Sequence, residues 1–471
     1  MFRLLIEKEL REIIGSTKFA VSFGVCSILI LLAFYLGAAN YLASVAQYNA
    51  ARAENLRQLE GLTDWLAVRD YRIFLPPRPL TTLVSGIAND VGRTIEINGR
   101  GDLVAHDSRY GDEPIYAIFR FLDLDFVFQI VLSLFAIVFA YDSINGEKER
   151  GTLRLTFANA VPKAHYILAK LIGSYAALAV PLLIPLALGS LLLVVMGIPL
   201  SSNEWMRLGV IIATGIAYVG VFLTLSILLS SLTQRSSTSF LMLLVIWVMS
   251  VIIVPRGAVL LAGRAVSVPT IEENNAKKGK LNAQLWREDR EAMTKFQPSS
   301  SSDPQRMASE FQKLMQEMAD KRDARMKQLS DRLNEERTNA QQVQRGLAFG
   351  IARVSPAATF ALATTALAGT SLDLEYLFRD AALAYQQAYA GFMFKKTGVN
   401  LSRGMIIMRT ESGDPEKPKS INANELPVFT YSERGVSEVM QAVLPDIGLL
   451  LLYNVLFFAG AFVAFLRYDL R

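Results

Sequence analysis

Six stretches of this sequence are apolar for long enough to cross a lipid bilayer: 19–39, 124–141, 167–197, 207–231, 238–262 and 444–466. In hydrocarbon a backbone N–H or C=O finds no water, so such stretches must satisfy their own backbone as helices. About 20 apolar residues make one crossing. The expected fold class is therefore an α-helical membrane protein with six transmembrane helices, TM1 to TM6. The connections are unequal, with long insertions at 40–122 and 263–441. A chain with 19% charged residues and a mean hydropathy of only +0.30 carries more than a buried bundle. The two insertions are its aqueous part.

Charge placement fixes the number of spans. Residues 1–18, MFRLLIEKELREIIGSTK, set Phe2, Leu5, Ile6, Leu10, Ile13 and Ile14 on one side of a helix, which suits an interfacial helix on the cytoplasmic leaflet. Glu7, Glu9 and Glu12 do not suit the basic start of a signal peptide, so TM1 is read as an uncleaved span. Six spans place Arg3, Lys8, Arg11 and Lys18, the Lys148–Arg154 loop, and Arg467 and Arg471 on one side, as the positive-inside rule prefers. Both termini are then cytoplasmic. The apolar segment 346–369 would make a seventh span and break that agreement. Arg353, Ser355 and Pro356 in its middle assign it instead to an amphipathic helix on the outer leaflet or against the bundle.

Both insertions then share the extracytoplasmic side. In 40–122 the first part, through Asp70, reads helical, and the prolines at 76, 77 and 79 give turns and short strands after it. In 263–441 two helical patterns, 272–296 and 304–345, flank PSSSSDP and predict an antiparallel hairpin with an apolar Met and Leu seam. The remainder, 370–441, reads as irregular, with Pro415, Pro418 and a strand-like Gly404–Arg409.

The densest polar pattern is 142–166, between TM2 and TM3. Glu147 and Glu149 suit a helix N-terminus, and Arg150 and Arg154 share a helix face. Gly151 breaks the helix, Thr152 caps a new one, and Leu153, Leu155 and Phe157 give it an apolar side before Asn159 and Pro162 end it. The picture is a short amphipathic helix on the membrane surface that offers Leu and Phe to something in the cytosol.

Glu149-Arg150-Gly151-Thr152-Leu153, followed by Pro162 and Lys170, resembles the signature of ABC-2-type transporter permeases. The six-span layout and N-terminal interfacial helix are similar to that family as well. Ser355-Pro356-Ala357-Ala358 further resembles a bacterial subgroup with a long domain before the last span. The resemblance implies a bacterial inner-membrane permease subunit with no cofactor of its own. Its expected partners are a separate ABC ATPase subunit that holds ATP and Mg, a second permease chain (a copy or a sister) and membrane lipid. It implies that Glu149, Arg150, Gly151, Thr152, Leu153, Phe157 and Pro162 carry ATPase coupling, with the Thr233–Ser237 turn as a secondary contact.

Asp123 and Asp125 at the outer end of TM2, and Pro181 and Pro185 within TM3, are the candidate pathway residues. The two prolines predict a kink or break there. The chain has no phosphate-binding loop, nucleophile elbow or zinc-protease motif, so no catalytic set is assigned to it. His106, His165 and Cys26 lack companions at ligand spacing, so no metal site is assigned, and no basic tract suits nucleic acid. Three functions stay open: export of an amphipathic substrate, ATP-driven mechanical signalling to a periplasmic protein partner, and a membrane-anchored scaffold.

Overall fold

The computed structural model describes residues 2–68, 71–88, 92–97, 103, 105–106, 123–158, 161–297, 304–397 and 421–468. The amphipathic helix α1 (Phe2–Ile14) turns at Gly15 into α2 (Thr17–Arg57), whose N-terminus is capped by the Ser16 side chain accepting from Phe19 N at 3.1 Å. The first apolar stretch is only part of α2. The helix continues unbroken to Arg57, which bears out the helical reading of the first insertion that far. There Asn55 clamps the strand β1 (Arg72–Phe74), donating to Arg72 O at 2.8 Å and accepting from Arg72 N at 3.2 Å. β1 pairs antiparallel with β2 (Thr94–Glu96), and β2 with β3 (Ala105–His106).

The second apolar stretch is α3 (124–140), which is π-helical over Val127–Leu132. The widened turn leaves the Gln129 carbonyl open to two hydroxyls. Tyr218 donates to it at 2.9 Å and Ser133 at 2.5 Å. Two short helices follow, α4 (Asn145–Glu149) and α5 (Thr152–Ala158). The long helix α6 (Lys163–Val195) passes both Pro181 and Pro185 without a break. α7 (Ser202–Leu232) opens on a capping box between Ser201 and Glu204 and is the most enclosed of the spans. α8 (Ser236–Ala265) holds a second π-helical turn at Val248–Ile253.

α9 (Ile271–Thr294) and α10 (Pro304–Ala352) form the expected hairpin, though α10 runs past the expected end. Leu285, Met318 and Leu333 are buried along the seam, and Arg322 bonds Asp289 at 2.7 Å while lying 4.3 Å over the Trp286 ring. The corner at 298–303 lies outside the described residues.

Two expectations for the second insertion are corrected. The segment 346–369 is not one amphipathic helix. Its first part ends α10, and its second is α11 (Pro356–Ala368), which is buried on nearly every side against α7, the π-turn of α8 and the last span. A run of alanines and threonines gives α11 no polar face, so of the two expected placements it takes the one against the bundle, as a buried helix and not an amphipathic one. Ser355 holds its start by accepting from Ala357 N and Ala358 N and donating to Ser250 O. Ser355→Ala should lower stability by about 1–2 kcal/mol, read as the thermal midpoint of the detergent-solubilised protein. An unchanged midpoint would show that packing alone seats α11.

The region 370–441 is not wholly irregular either. α12 (Asp373–Thr397) buries Leu374, Phe378, Ala382, Tyr385, Tyr389 and Met393 along one face. That face meets Ile73, Ile95 and Ile97 of the sheet region and Leu426, so the two insertions build one small core. Gly404–Arg409, Pro415 and Pro418 lie outside the described residues. The last span is α13 (Val436–Arg467), packed along α7. Among the described residues six helices are thus long and apolar enough to cross a membrane, and the protein is an α-helical membrane protein.

Candidate functional site

The loop after α3 folds into a tight polar knot at the end of the bundle that also carries α1. Gly151 sits between α4 and α5 at φ +72°, a left-handed conformation that side-chain-bearing residues avoid. The chain therefore reverses within one residue, and Thr152 opens α5 with its hydroxyl donating to Glu147 O at 3.4 Å. Asn159 lies outside the described residues, and Pro162 precedes α6 in an extended conformation.

Glu147 is the centre of the knot. Lys170 of α6 reaches its Oε1 at 2.9 Å, Lys8 of α1 reaches the same oxygen at 2.9 Å, and the Tyr166 hydroxyl donates to Oε2 at 2.8 Å. Lys170 also bonds Glu9 of α1 at 2.7 Å. Burial in the contact between α1 and α6 raises the Glu9 carboxyl above its usual range, against the pull of Lys170. So the buried residue of the N-terminal helix is a carboxylate, and three elements meet on one ammonium group. The approach is close: a Cβ on Gly173 would stand 2.6 Å from Glu9 Cβ. Glu9, Glu12 and Glu147 come near enough to share a cation. Lys170 and Lys8 pair with the group, and Arg150 lies 3.7 Å from Glu12, so these side chains already supply that charge.

The rest of the loop is tied to the turn between α7 and α8. Ser230 Oγ accepts from Ile144 N and Asn145 N at 2.9 and 3.1 Å, and Lys148 donates to Ser231 O and Thr233 O at 2.8 and 3.2 Å. Glu149 accepts from Ser236 N and Oγ at 2.8 and 2.9 Å. Lys163 closes the cluster by donating to Leu466 O and Tyr468 O at the end of α13.

Of the residues expected to couple, Glu149, Arg150, Gly151 and Thr152 are surface groups around the bend. Leu153 and Phe157 are not offered to the cytosol as expected. Leu153 is only 3% exposed, and Phe157 packs on Tyr166 and Phe465 with ring centroids 5.3 and 5.9 Å away. Residues four apart share a helix face, and that face is turned down onto the bundle. Leu155, 68% exposed, is the apolar group α5 presents outward.

The candidate pathway residues do not join this cluster. Asp123 caps α3, accepting from Phe126 N, Ser85 N and Ser85 Oγ. Asp125 accepts from Thr364 of α11 at 2.6 Å and from Gln129. Both stand at the opposite end of the bundle. Pro185 is buried within α6 and Pro181 half-buried.

From residue 3 to residue 470 the sequence matches the model of a family described as ABC-2 family transporter protein. No curated protein matches it.

Proposed function

The chain belongs to the ABC-2 family of transporter proteins and is a membrane permease subunit of an ABC transporter; from that premise we propose that α5 is its coupling helix, through which a separate ATPase subunit drives export of a substrate. The observation that carries this reading is the seating of α5. Its inward face enters the core through Leu153 and Phe157. Its root is fixed through Glu147 and Lys170 to α1 and α6. Its outward face keeps Leu155 exposed. A push on Leu155 therefore reaches several spans as one rigid displacement.

In this reading the end with α1 and α5 faces the cytoplasm and both termini lie there, in a bacterial inner membrane. ATP and Mg are held by the ATPase, and a second permease chain completes the pore. The loop before α8 adds Arg235 to the docking surface.

The test is purification of the tagged protein from its own membrane in mild detergent, with co-purifying chains identified by mass spectrometry. A stoichiometric ATPase is expected, and Leu155→Asp should remove it without lowering the thermal midpoint. Leu153→Asp should instead destabilise the protein, by about 3 kcal/mol or more for a charge placed in the core. An ATPase retained by Leu155→Asp would move the docking surface elsewhere.

A second reading has its own support. The hairpin helix α10 is rooted in the bundle through α11, so motion in the spans is carried to a part far outside them. ATP-driven mechanical action on a periplasmic protein partner fits that connection. ATPase activity that rises with an amphipathic small molecule selects export. Activity that rises only with a partner protein selects the mechanical reading.

A further inference from the structure

At the end opposite α5, two adjacent cavities lie between α10, α11, α12 and α13. Their volumes are about 40 and 110 Å3, and Ala366, Ser371, Asp373 and Ala442 belong to both. Arg78, Arg207 and Arg434 line the smaller, and Arg345 and Arg353 the larger. The carboxylates are fewer. Asp373 bonds Arg345 at 2.6 Å and Arg434 at 2.7 Å, and Asp446 takes Arg353 in a two-pronged contact of 2.5 and 3.1 Å. Glu433 serves both Arg78 and Arg207, at 3.5 and 3.6 Å. Five guanidinium groups against three carboxylates leave two positive charges among the described lining residues.

One of the two charges belongs to the buried pair Arg78 and Arg207, which share Glu433, and the other to the partly exposed pair Arg345 and Arg434, which share Asp373. The Arg78 and Arg207 side chains are 9% and 6% exposed, and the Nε of each makes no hydrogen bond, that of Arg78 having only the 3.5 Å ion-pair approach of Glu433 Oε1. Other donors of the same two groups are used: Arg78 reaches Gly369 O at 2.6 Å and the Tyr431 hydroxyl, and Arg207 reaches Arg434 O at 3.1 Å. A buried charged donor without an acceptor is costly, so the site favours an incoming anion. Guanidinium forks suit phosphate oxygens in particular.

The surroundings say what carries the phosphate. From Asp446 to Arg467, α13 rises about 31 Å, one hydrocarbon thickness, so the cavities stand at headgroup level. The larger has apolar walls in Ile87, Phe349 and Leu362. Just beyond Arg353 and Ala442 the chain leaves Val354 and Leu444 each 70% exposed. We propose that these cavities bind the phosphate-bearing headgroup of a membrane amphiphile, whose acyl chains lie on the side of Val354 and Leu444. Binding requires neither the ATPase nor transport, so this inference stands apart from the coupling reading.

The test is native mass spectrometry of the full-length protein in nonionic detergent, titrated with phosphatidylglycerol, phosphatidylcholine or inorganic phosphate. Phosphatidylglycerol should bind about tenfold more tightly than phosphatidylcholine, and Arg207→Gln should weaken it about tenfold. Glu433→Gln, which adds to the positive excess, should tighten it about threefold. A folding defect lowers binding in either variant, so a gain in Glu433→Gln cannot arise from one. Equal affinity for the two lipids with no gain in Glu433→Gln would overturn the site. Inorganic phosphate binding as tightly as phosphatidylglycerol would overturn the amphiphile and leave an anion site.

Discussion

Replacing Lys170 with methionine should cost the protein about 3–5 kcal/mol, the usual penalty for stranding a buried charge. The Lys170 side chain is 4% exposed and lies between Glu9 and Glu147, themselves 7% and 3% exposed. Methionine keeps the apolar stem and removes the ammonium. Glu147 would retain Lys8 and the Tyr166 hydroxyl, so the stranded group is Glu9, and α1 should come away from α6. The thermal midpoint of the purified protein should fall, and proteolysis near Arg11 should quicken. Adding Glu9→Gln should restore most of the loss, because the carboxylate that needed Lys170 is then gone. An unchanged midpoint in the single variant would mean that α1 is held by packing alone.

Gly151→Val should separate coupling from folding. At φ +72° a β-branched residue is strained by about 1–2 kcal/mol or somewhat more, although a Cβ there would meet nothing within 4 Å. The strain is relieved by rotating the residue to negative φ, which swings α5 out of its seat. ATPase activity of the assembled transporter should lose its response to substrate by tenfold or more, while the thermal midpoint falls only a few degrees. Gly151→Asn, which tolerates the left-handed conformation, should keep the response. If valine leaves the response intact in a well-folded protein, the bend has no part in transmission.

The spans were legible because hydrocarbon leaves a chain few options, and the bend was legible because Gly151 is the residue such a reversal demands. Which way α5 faces was not. Leu153 and Phe157, four apart, share a side and Leu155 falls on the other, but the spacing does not say which side meets a partner and which the bundle's own core. Glu147 and Lys170 stood in view as separate charges. Their pairing depends on the turn at Gly151 and on α1, and Glu9 of α1 reads as an ordinary surface acid in an amphipathic pattern.

α12 was missed for a different reason. Leu374, Phe378, Ala382, Tyr385, Tyr389 and Met393 recur at three- and four-residue intervals, a helical signal outweighed by the prolines further on. α11 gave the opposite error. Alanine and threonine carry no clear periodicity, so the sequence left a place on the leaflet and a place against the bundle both open and did not show a helix enclosed on nearly every side.

The hairpin has a geometric consequence. α10 is 49 residues long, about 74 Å of helix. Its joint to α11 is held by the Arg353 contact with Asp446, by the Tyr453 hydroxyl on Arg353 O and Val354 O, and by the Ser355 cap. α11 itself is about 20 Å long. With a stiff joint, a 5° tilt of the short arm sweeps the far end of the long one through about 6 Å, while atoms along α11 itself move by less than about 2 Å. The pair is a lever with its fulcrum in the bundle, and it trades force at the spans for distance at the tip.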